Sequence, residues 1–549
     1  MRSKFLATLA LAAAAFAGSA DAETSVSANV STDTTWGGAA NPCPIILETA
    51  IFVDSGATLT ILPGCVVRGQ PRTAAVVPGS TAGTPGALIV TQTGRIVAEG
   101  SASNPIIFTT AAVDNNDDGV ADDVAPADGF LDAWTSGDTF FDDTPKTAPL
   151  APLDANGDPN VSLWGGIVIL GNAPTNVDDP TFTTIGQTTI EGLTVPGFPA
   201  AAATYGGLLP HDSSGSMKFL SVRHGGDEIG NGNELNGISL GGVGDGTVFE
   251  NIEVYANFDD GIEWFGGTVN GKNLHVVFAG DDSFDLDQGY TGTNQFLFAI
   301  MPFFNDNAGG PFGSASGDKA GEWDGDDFLA PTGVNILPDG TCRPFSNPAM
   351  YNVTVIGSTP DAGQHFTPAS PALANRGIQM RNGFAGELLN SIVVNTGSAL
   401  GYDVGSGVGQ ACPGFDVVDN IATCTAQVLA STFDDGGALG TPELDALACG
   451  DADSRTVGAL SANVVNSALF PGLAQEDTTF DPQGNASGKL DSSLRPTPID
   501  PRPNFGLAGV AGGVTSGPDP TATFRGAFDR TLPTLWTDGW TVLSKAGLL

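Results

Sequence analysis

The sequence predicts an all-β protein, a parallel β-helix with coils of about 22 residues. Three observations carry that prediction. Residues 251–272 (NIEVYANFDDGIEWFGGTVNGK) superpose without a gap on residues 273–294 (NLHVVFAGDDSFDLDQGYTGTN). Short alternating strands recur elsewhere and end at Gly or Asn-Pro turns. The 75 Gly and 37 Pro among 549 residues would interrupt almost any helical run.

Taken in chain order, the first element is an address. Arg2 and Lys4 precede an apolar run from Phe5 to Gly18, and Ala20-Asp21-Ala22 offers a small-x-small cleavage site. Residues 1–22 therefore read as a secretory signal peptide, too short to span a bilayer. No later segment is apolar enough to span one either. All six cysteines (Cys43, Cys65, Cys342, Cys412, Cys424, Cys449) follow that segment, and an even count in an exported chain favours disulfides. Cys43 and Cys65 are one coil length apart, so they are expected to stack on adjacent coils within disulfide reach. Cys412–Cys424 is a local candidate among the rest.

The strands follow. Ala57–Ile61, Ala87–Val90 and Gly94–Gly100 alternate as short coil faces. Phe219–Val222 matches Ile252–Val254 loosely, with His224 to Glu234 inserted before Asn236–Leu240. The latter aligns with Asp260–Trp264, and Arg376–Met380 is a further copy. Ile238, Ile262, Phe284 and Ile378 are then expected to form one interior stack, since a single coil cannot bury its apolar face alone. The β-helix spans residues 23–404, with projecting loops at about 114–160 and 302–348. Residues 405–505 read as a loop-rich insertion with a short helix near Thr425–Ser431. Residues 506–549, with Phe524, Phe528, Trp536 and Trp540, read as a cap on one end of the helix.

Charge narrows the function. The net charge is −41 and the pI about 4.1. A nucleic-acid binder needs a basic face to displace counterions, and so does an electrostatic membrane binder. With 41% hydrophobic residues the chain can bury a large core, which argues against disorder. The acid is clustered. Asp259, Asp260 and Glu263 would stack against Asp281, Asp282 and Asp285, with Asp287 nearby. Two carboxylates 5 Å apart repel by about 3 kcal/mol at an effective dielectric of 20. Such stacking needs a cation, a raised pKa or wide exposure. Calcium suits it, taking six to eight oxygen ligands in flexible geometry. A solvated acidic face and catalytic carboxylates are the alternatives.

A second acidic motif places Asp114, Asn116 and Asp118 at loop positions 1, 3 and 5, Gly119 at 6 and Asp122 at 9. That matches the first half of a calcium loop. Ala125 stands where an EF-hand has Glu, so the motif is closer to the DxDxDG loops of extracellular calcium modules; an acidic turn is the alternative. Asp154–Asp158 is a weaker copy. The four histidines show no HxH or HExxH spacing, which argues against zinc.

Two resemblances add expectations. Gly280-Asp281-Asp282 resembles the G-D-D motif of the polygalacturonases, β-helix glycosidases, and Asn257-Phe258-Asp259-Asp260-Gly261 resembles their N-T-D-G motif one coil earlier. The resemblance implies a pectin-lyase-like, right-handed solenoid, and a hydrolase whose acid and base are drawn from Asp259, Asp260, Asp281 and Asp282. The chain departs from that family in lacking its G-H-G histidine and R-x-K motif. Polysaccharide lyases of the same fold use calcium with an Arg or Lys base; Arg376 and Arg381 fall two or more coils from the acidic stack. Separately, Trp164–Pro174, Arg223-His224-Gly225-Gly226, the Asp-Asp coils, Arg525–Phe528 and Trp536–Trp540 together resemble a family of exported bacterial surface proteins that includes a leptospiral outer-surface lipoprotein. It implies export and surface or matrix association and brings no assigned active site. This chain has no lipidation cysteine after the cleavage site.

The leading expectation is a non-catalytic, calcium-binding surface or extracellular-matrix β-helix that engages a polysaccharide or a surface protein, in the extracellular space, at the outer surface or in the periplasm. The alternative is a calcium-assisted polysaccharide hydrolase or lyase built on residues 259–287.

Overall fold

The computed structural model describes residues 23–72, 83–113, 161–177, 179–190, 193, 200–230, 233–301, 319–326, 345–357, 376–394, 396, 398–402, 427–429, 432–433, 455–456, 500–502, 517–547 and 549. The signal-peptide segment, the Asp114–Asp123 motif and the last four cysteines lie outside these residues.

Nine parallel strands form one sheet in which sequence order and spatial order agree: Ala50–Val53, Ala87–Val90, Ile167–Leu170, Ile238–Gly241, Ile262–Phe265, Asp282–Asp287, Lys319–Asp324, Arg376–Arg381 and Ser398–Tyr402. Each strand comes from the next coil, so the chain advances by one strand per turn. This is a parallel β-helix. Along its inner face Ile51, Leu88, Ile167, Ile238, Ile262 and Phe284 are successive register partners. The expected stack is therefore present and longer than predicted, with one interruption. Gly321 pairs with Phe284 and in turn with Ile378. A Cβ at Gly321 would sit 2.7 Å from Trp323 Nε1, so the neighbouring indole occupies the space a side chain would need. Each fully buried Ile or Phe in such a row contributes about 1.5–3 kcal/mol.

The remaining faces are built from longer strands. Gly215–Arg223, Val248–Asn257, Asn270–Ala279, Thr293–Ile300 and Ala349–Ile356 pair in parallel, coil on coil. In the first coils this face is two separate strands. Arg95–Glu99 and Ile106–Thr110 both stack on Gly215–Arg223, one on each half. In six successive coils from Gly215–Arg223 on, the bend between the halves is a left-handed residue: Phe219, Asn251, Asn273, Phe296, Asn352 and Asn390 all have φ between 51° and 63°. Asn tolerates that conformation better than most side chains, and Asn273 Nδ2 donates to Asn251 Oδ1 at 2.9 Å.

The 22-residue period also explains the first disulfide. Cys43 and Cys65 are bonded, with Cα atoms 5.5 Å apart, just before strands that pair Ile45 with Val67.

Three expectations are corrected. The 302–348 segment is not loop throughout: Lys319–Asp324 is a strand of the nine-stranded sheet. Near Thr425–Ser431 the chain extends as strand Gln427–Leu429 rather than as a helix, because it pairs with Glu387–Leu389 of the previous coil. The C-terminal aromatics do not cap an end. They lie across the flank: Phe524 stacks on Phe296, Phe528 meets Phe298, Trp536 meets His275 and Trp540 meets Phe219. The outer side of this face carries Tyr255, Phe278 and Phe298, an apolar surface that water would otherwise cover. Backbone and side-chain bonds fix the strap in place, from Gly526 N to Asn390 O and from Val542 N to Glu253 Oε1.

Candidate metal centre

The acidic residues gather where the nine-stranded sheet begins each pass. Strand alternation sends Ile262 and Trp264 inward and Glu263 outward, and the next coil repeats it with Phe284, Leu286 and Asp285. Glu263, Asp285 and Glu322 are consecutive register partners on the outer face. Asp260 occupies the corner ahead of its strand, and Asp282 opens the strand of the next coil. The corner turns tightly because Gly261 has no side chain: a Cβ there would lie 2.4 Å from Val276 Cγ1 and 2.6 Å from the Ser283 carbonyl.

Among the described residues three groups of carboxylates result, each with ligand atoms within 4.8 Å of one another: Asp259, Asp260 and Asp281; Asp260, Glu263 and Asp285; Asp282, Asp285 and Glu322. Asp260 belongs to two groups and Asp285 to two, so the groups form one row across three coils. Asp287 is buried further along its strand and joins none of them.

Partners differ along the row. Asp260 Oδ1 accepts the backbone N–H of Asp282 at 2.8 Å. Glu263 Oε2 accepts from Asn236 Nδ2, which also reaches Ser239 Oγ. At the far end the protein supplies its own cations. Lys319 Nζ lies 3.6 Å from Asp282 and 3.1 Å from Glu322, and Arg381 bridges Glu322 and Asp324. Burial, then the neighbouring Asp259, Asp285, Asp282 and Asp281, raise the Asp260 carboxyl well above the ordinary range. Burial also raises Asp282, against the opposing pull of Lys319. Burial works against the Arg381 charge, but Asp324 and Glu322 outweigh it and hold the guanidinium more firmly protonated.

The carboxylates expected at 259, 260, 263, 281, 282 and 285 are thus brought together. Sequence reasoning missed Lys319 and Glu322 and left Arg381 distant. Glu322-Trp323 repeats Glu263-Trp264 in residue type and register, and that dipeptide was the available signal. Insertions between the coils hid it by breaking the 22-residue period. Arg376 pairs with Gln379 on its own strand.

A family model described as a pectate-lyase like beta helix domain matches residues 43–120 and 146–434. No curated protein and no solved structure matches the chain, so the likeness to leptospiral surface proteins gains no support from either comparison.

Proposed function

The chain belongs to the pectate-lyase like beta helix domain family, and from that premise we propose that it is an exported β-helix protein that binds calcium on its acidic row and, through calcium, carboxylated polysaccharide, without degrading it. The observation that carries this reading is the pair of overlapping triads sharing Asp260. Hard oxygen ligands in flexible geometry suit calcium, and an ion there would offset the burial and the carboxylate repulsion that raise Asp260. An ion with open coordination positions also recruits external carboxylates. The third triad already has Lys319 and Arg381 to balance it. Export is supported by the Cys43–Cys65 disulfide, which fits an oxidising compartment, and by the Arg2–Ala22 segment as a signal peptide. Among the described residues no helix is long and apolar enough to cross a membrane.

The test is calcium titration by calorimetry, followed by retention of the protein on immobilised polygalacturonate with calcium and with chelator. Retention that is indifferent to chelator sinks the reading. The second reading, a hydrolase or lyase, is favoured by one feature: Asp260, its pKa raised by burial and by its neighbours, lies beside Asp259 and Asp281, as an acid beside a base would. Against an inverting hydrolase, one oxygen of each carboxylate lies within 4.8 Å of the others, closer than the about 6.5–9.5 Å between carboxyl groups that an inverting reaction needs. Lys319 and Arg381 are engaged in ion pairs rather than poised as lyase bases. Reducing ends or unsaturated products released from acidic polysaccharides, and lost in Asp281→Asn with the fold retained, would decide for catalysis.

A further inference from the structure

We propose that Lys319 is a built-in cation: its ammonium takes the place of a metal ion in the third carboxylate triad and confines calcium to the two triads that share Asp260. The inference rests on the calcium reading for the identity of the ion, and says which part of the row that ion can occupy.

The second and third triads are one motif displaced by a coil. Each consists of an acid, the acid three residues on, and that second acid's register partner in the next coil. In the first copy these are Asp260, Glu263 and Asp285; in the next they are Asp282, Asp285 and Glu322. Ligand chemistry alone therefore does not tell the two triads apart. What differs is the residue that follows in the leading column. Asp282 lies one repeat after Asp260 and bonds to it through its backbone N–H. Lys319 is the register partner of Asp282, and Arg376 is that of Lys319. The column thus runs acid, acid, base, base. Beside the second triad the next coil brings a further carboxylate. Beside the third it brings an ammonium.

That ammonium sits as an ion would. Lys319 Nζ is 3.6 Å from Asp282 Oδ2 and 3.1 Å from Glu322 Oε1, two of the three members. The Lys319 and Asp282 side chains are 8% and 3% exposed, so solvent screens them little. Asp282 Oδ1 is buried and has no hydrogen-bond partner. An oxygen left over once the ammonium is in place fits a cation site better than a closed hydrogen-bond network, since calcium takes more oxygen ligands than one ammonium can satisfy. With Lys319 fixed in the sheet and its side chain buried, a divalent ion entering the same triad would meet a like charge at close range in a poorly screened site. Calcium, and any carboxylate bridged through it, therefore stops at Asp285, the residue that the second and third triads share.

Calcium bound per chain, measured on the full-length protein by equilibrium dialysis and elemental analysis, tests this. Lys319→Met and Lys319→Gln are compared with the wild type, so that ions held elsewhere in the chain cancel. Each variant should bind one calcium more than the wild type and show a larger calcium-induced rise in Tm. Glu322→Gln added to Lys319→Met should remove the extra ion, which locates it. Folded variants that bind only the wild-type number overturn the proposal. So does an extra ion that survives the Glu322→Gln change. Failure of both variants to fold even in saturating calcium also overturns it, because an ion then does not replace the ammonium. The calcium reading fails by a different result: Asp260→Asn that binds as much calcium as the wild type, whatever the Lys319 variants do.

Discussion

Asp260 Oδ1 accepts the backbone N–H of Asp282, one coil further on, at 2.8 Å. The carboxyl that two of the carboxylate triads share therefore also fastens the corner of the next coil. These roles separate in substitutions. Asp260→Asn keeps an oxygen for the N–H and removes the charge repulsion, so the calcium-free protein should melt at the same or a higher temperature. Its calcium-induced rise in Tm should be lost. Asp260→Ala leaves the buried N–H of Asp282 without its acceptor, at a cost of about 1–3 kcal/mol. Melting curves of both variants with and without calcium check this.

Calcium should raise the Tm of the wild type, and chelator should reverse the rise. Ligand binding at about 100 times Kd adds about 2.7 kcal/mol to stability. Glu263→Gln touches one triad and Asp260→Asn touches two, so the former should lower affinity less. An equal loss in both would contradict a shared Asp260.

Phe528 is buried against Phe298 and stacks on Trp536 at 5.3 Å. Phe528→Ala should cost about 3–5 kcal/mol. Because the strap spans several coils, the loss should appear as faster hydrogen exchange along Asn270–Ala279 and Thr293–Ile300, not at the strap alone.

His275 is buried, stacked on Phe298 and edge-on to Trp536, with Nδ1 3.1 Å from the Phe298 carbonyl. Burial lowers its pKa to about 4. The unfolded value is about 6.5, so the stability it contributes is complete above that pH and is lost as pH falls towards 4. The full loss is on the order of 3 kcal/mol. The adjacent Glu253 is raised by burial, partly offset by Arg223, and acts in the opposite sense, gaining stability on protonation. Comparing wild type with His275→Phe by denaturant unfolding at pH 7 and 4.5 isolates the histidine. A pH dependence identical in both would contradict this account.

Gly261→Ala should destabilise by about 1–3 kcal/mol, because the added Cβ meets Val276 and the Ser283 carbonyl. Gly38→Ala, where the added Cβ would come no closer than 3.7 Å to a neighbouring side chain, serves as the control without a clash.

Much of the row was legible because its coils repeat without a gap. Asp259 with Asp281, and Glu263 with Asp285, follow from a fixed offset, and the backbone must stack what the offset aligns. Glu322 and Lys319 were not legible by that route. An insertion changes the offset without changing which strand comes next, and pairing depends on strand order rather than residue count. The aromatic tail was recognisable as a packing surface, but several apolar faces of a solenoid compete for one.

The sequence by itself determined the repeating unit, the parallel stacking, the Cys43–Cys65 pair and the acidic corner at 259–285, since each is a property of local alternation and constant period. Only the tertiary structure decided that Lys319 and Arg381 close the row, that Lys319 faces Asp282 in a dry contact, and that the C-terminal segment binds the flank. Those contacts join residues far apart in the chain. Their formation depends on how many residues each inserted loop takes out of the coil, and on which buried surface gains most from being covered, and neither quantity is written in any one segment.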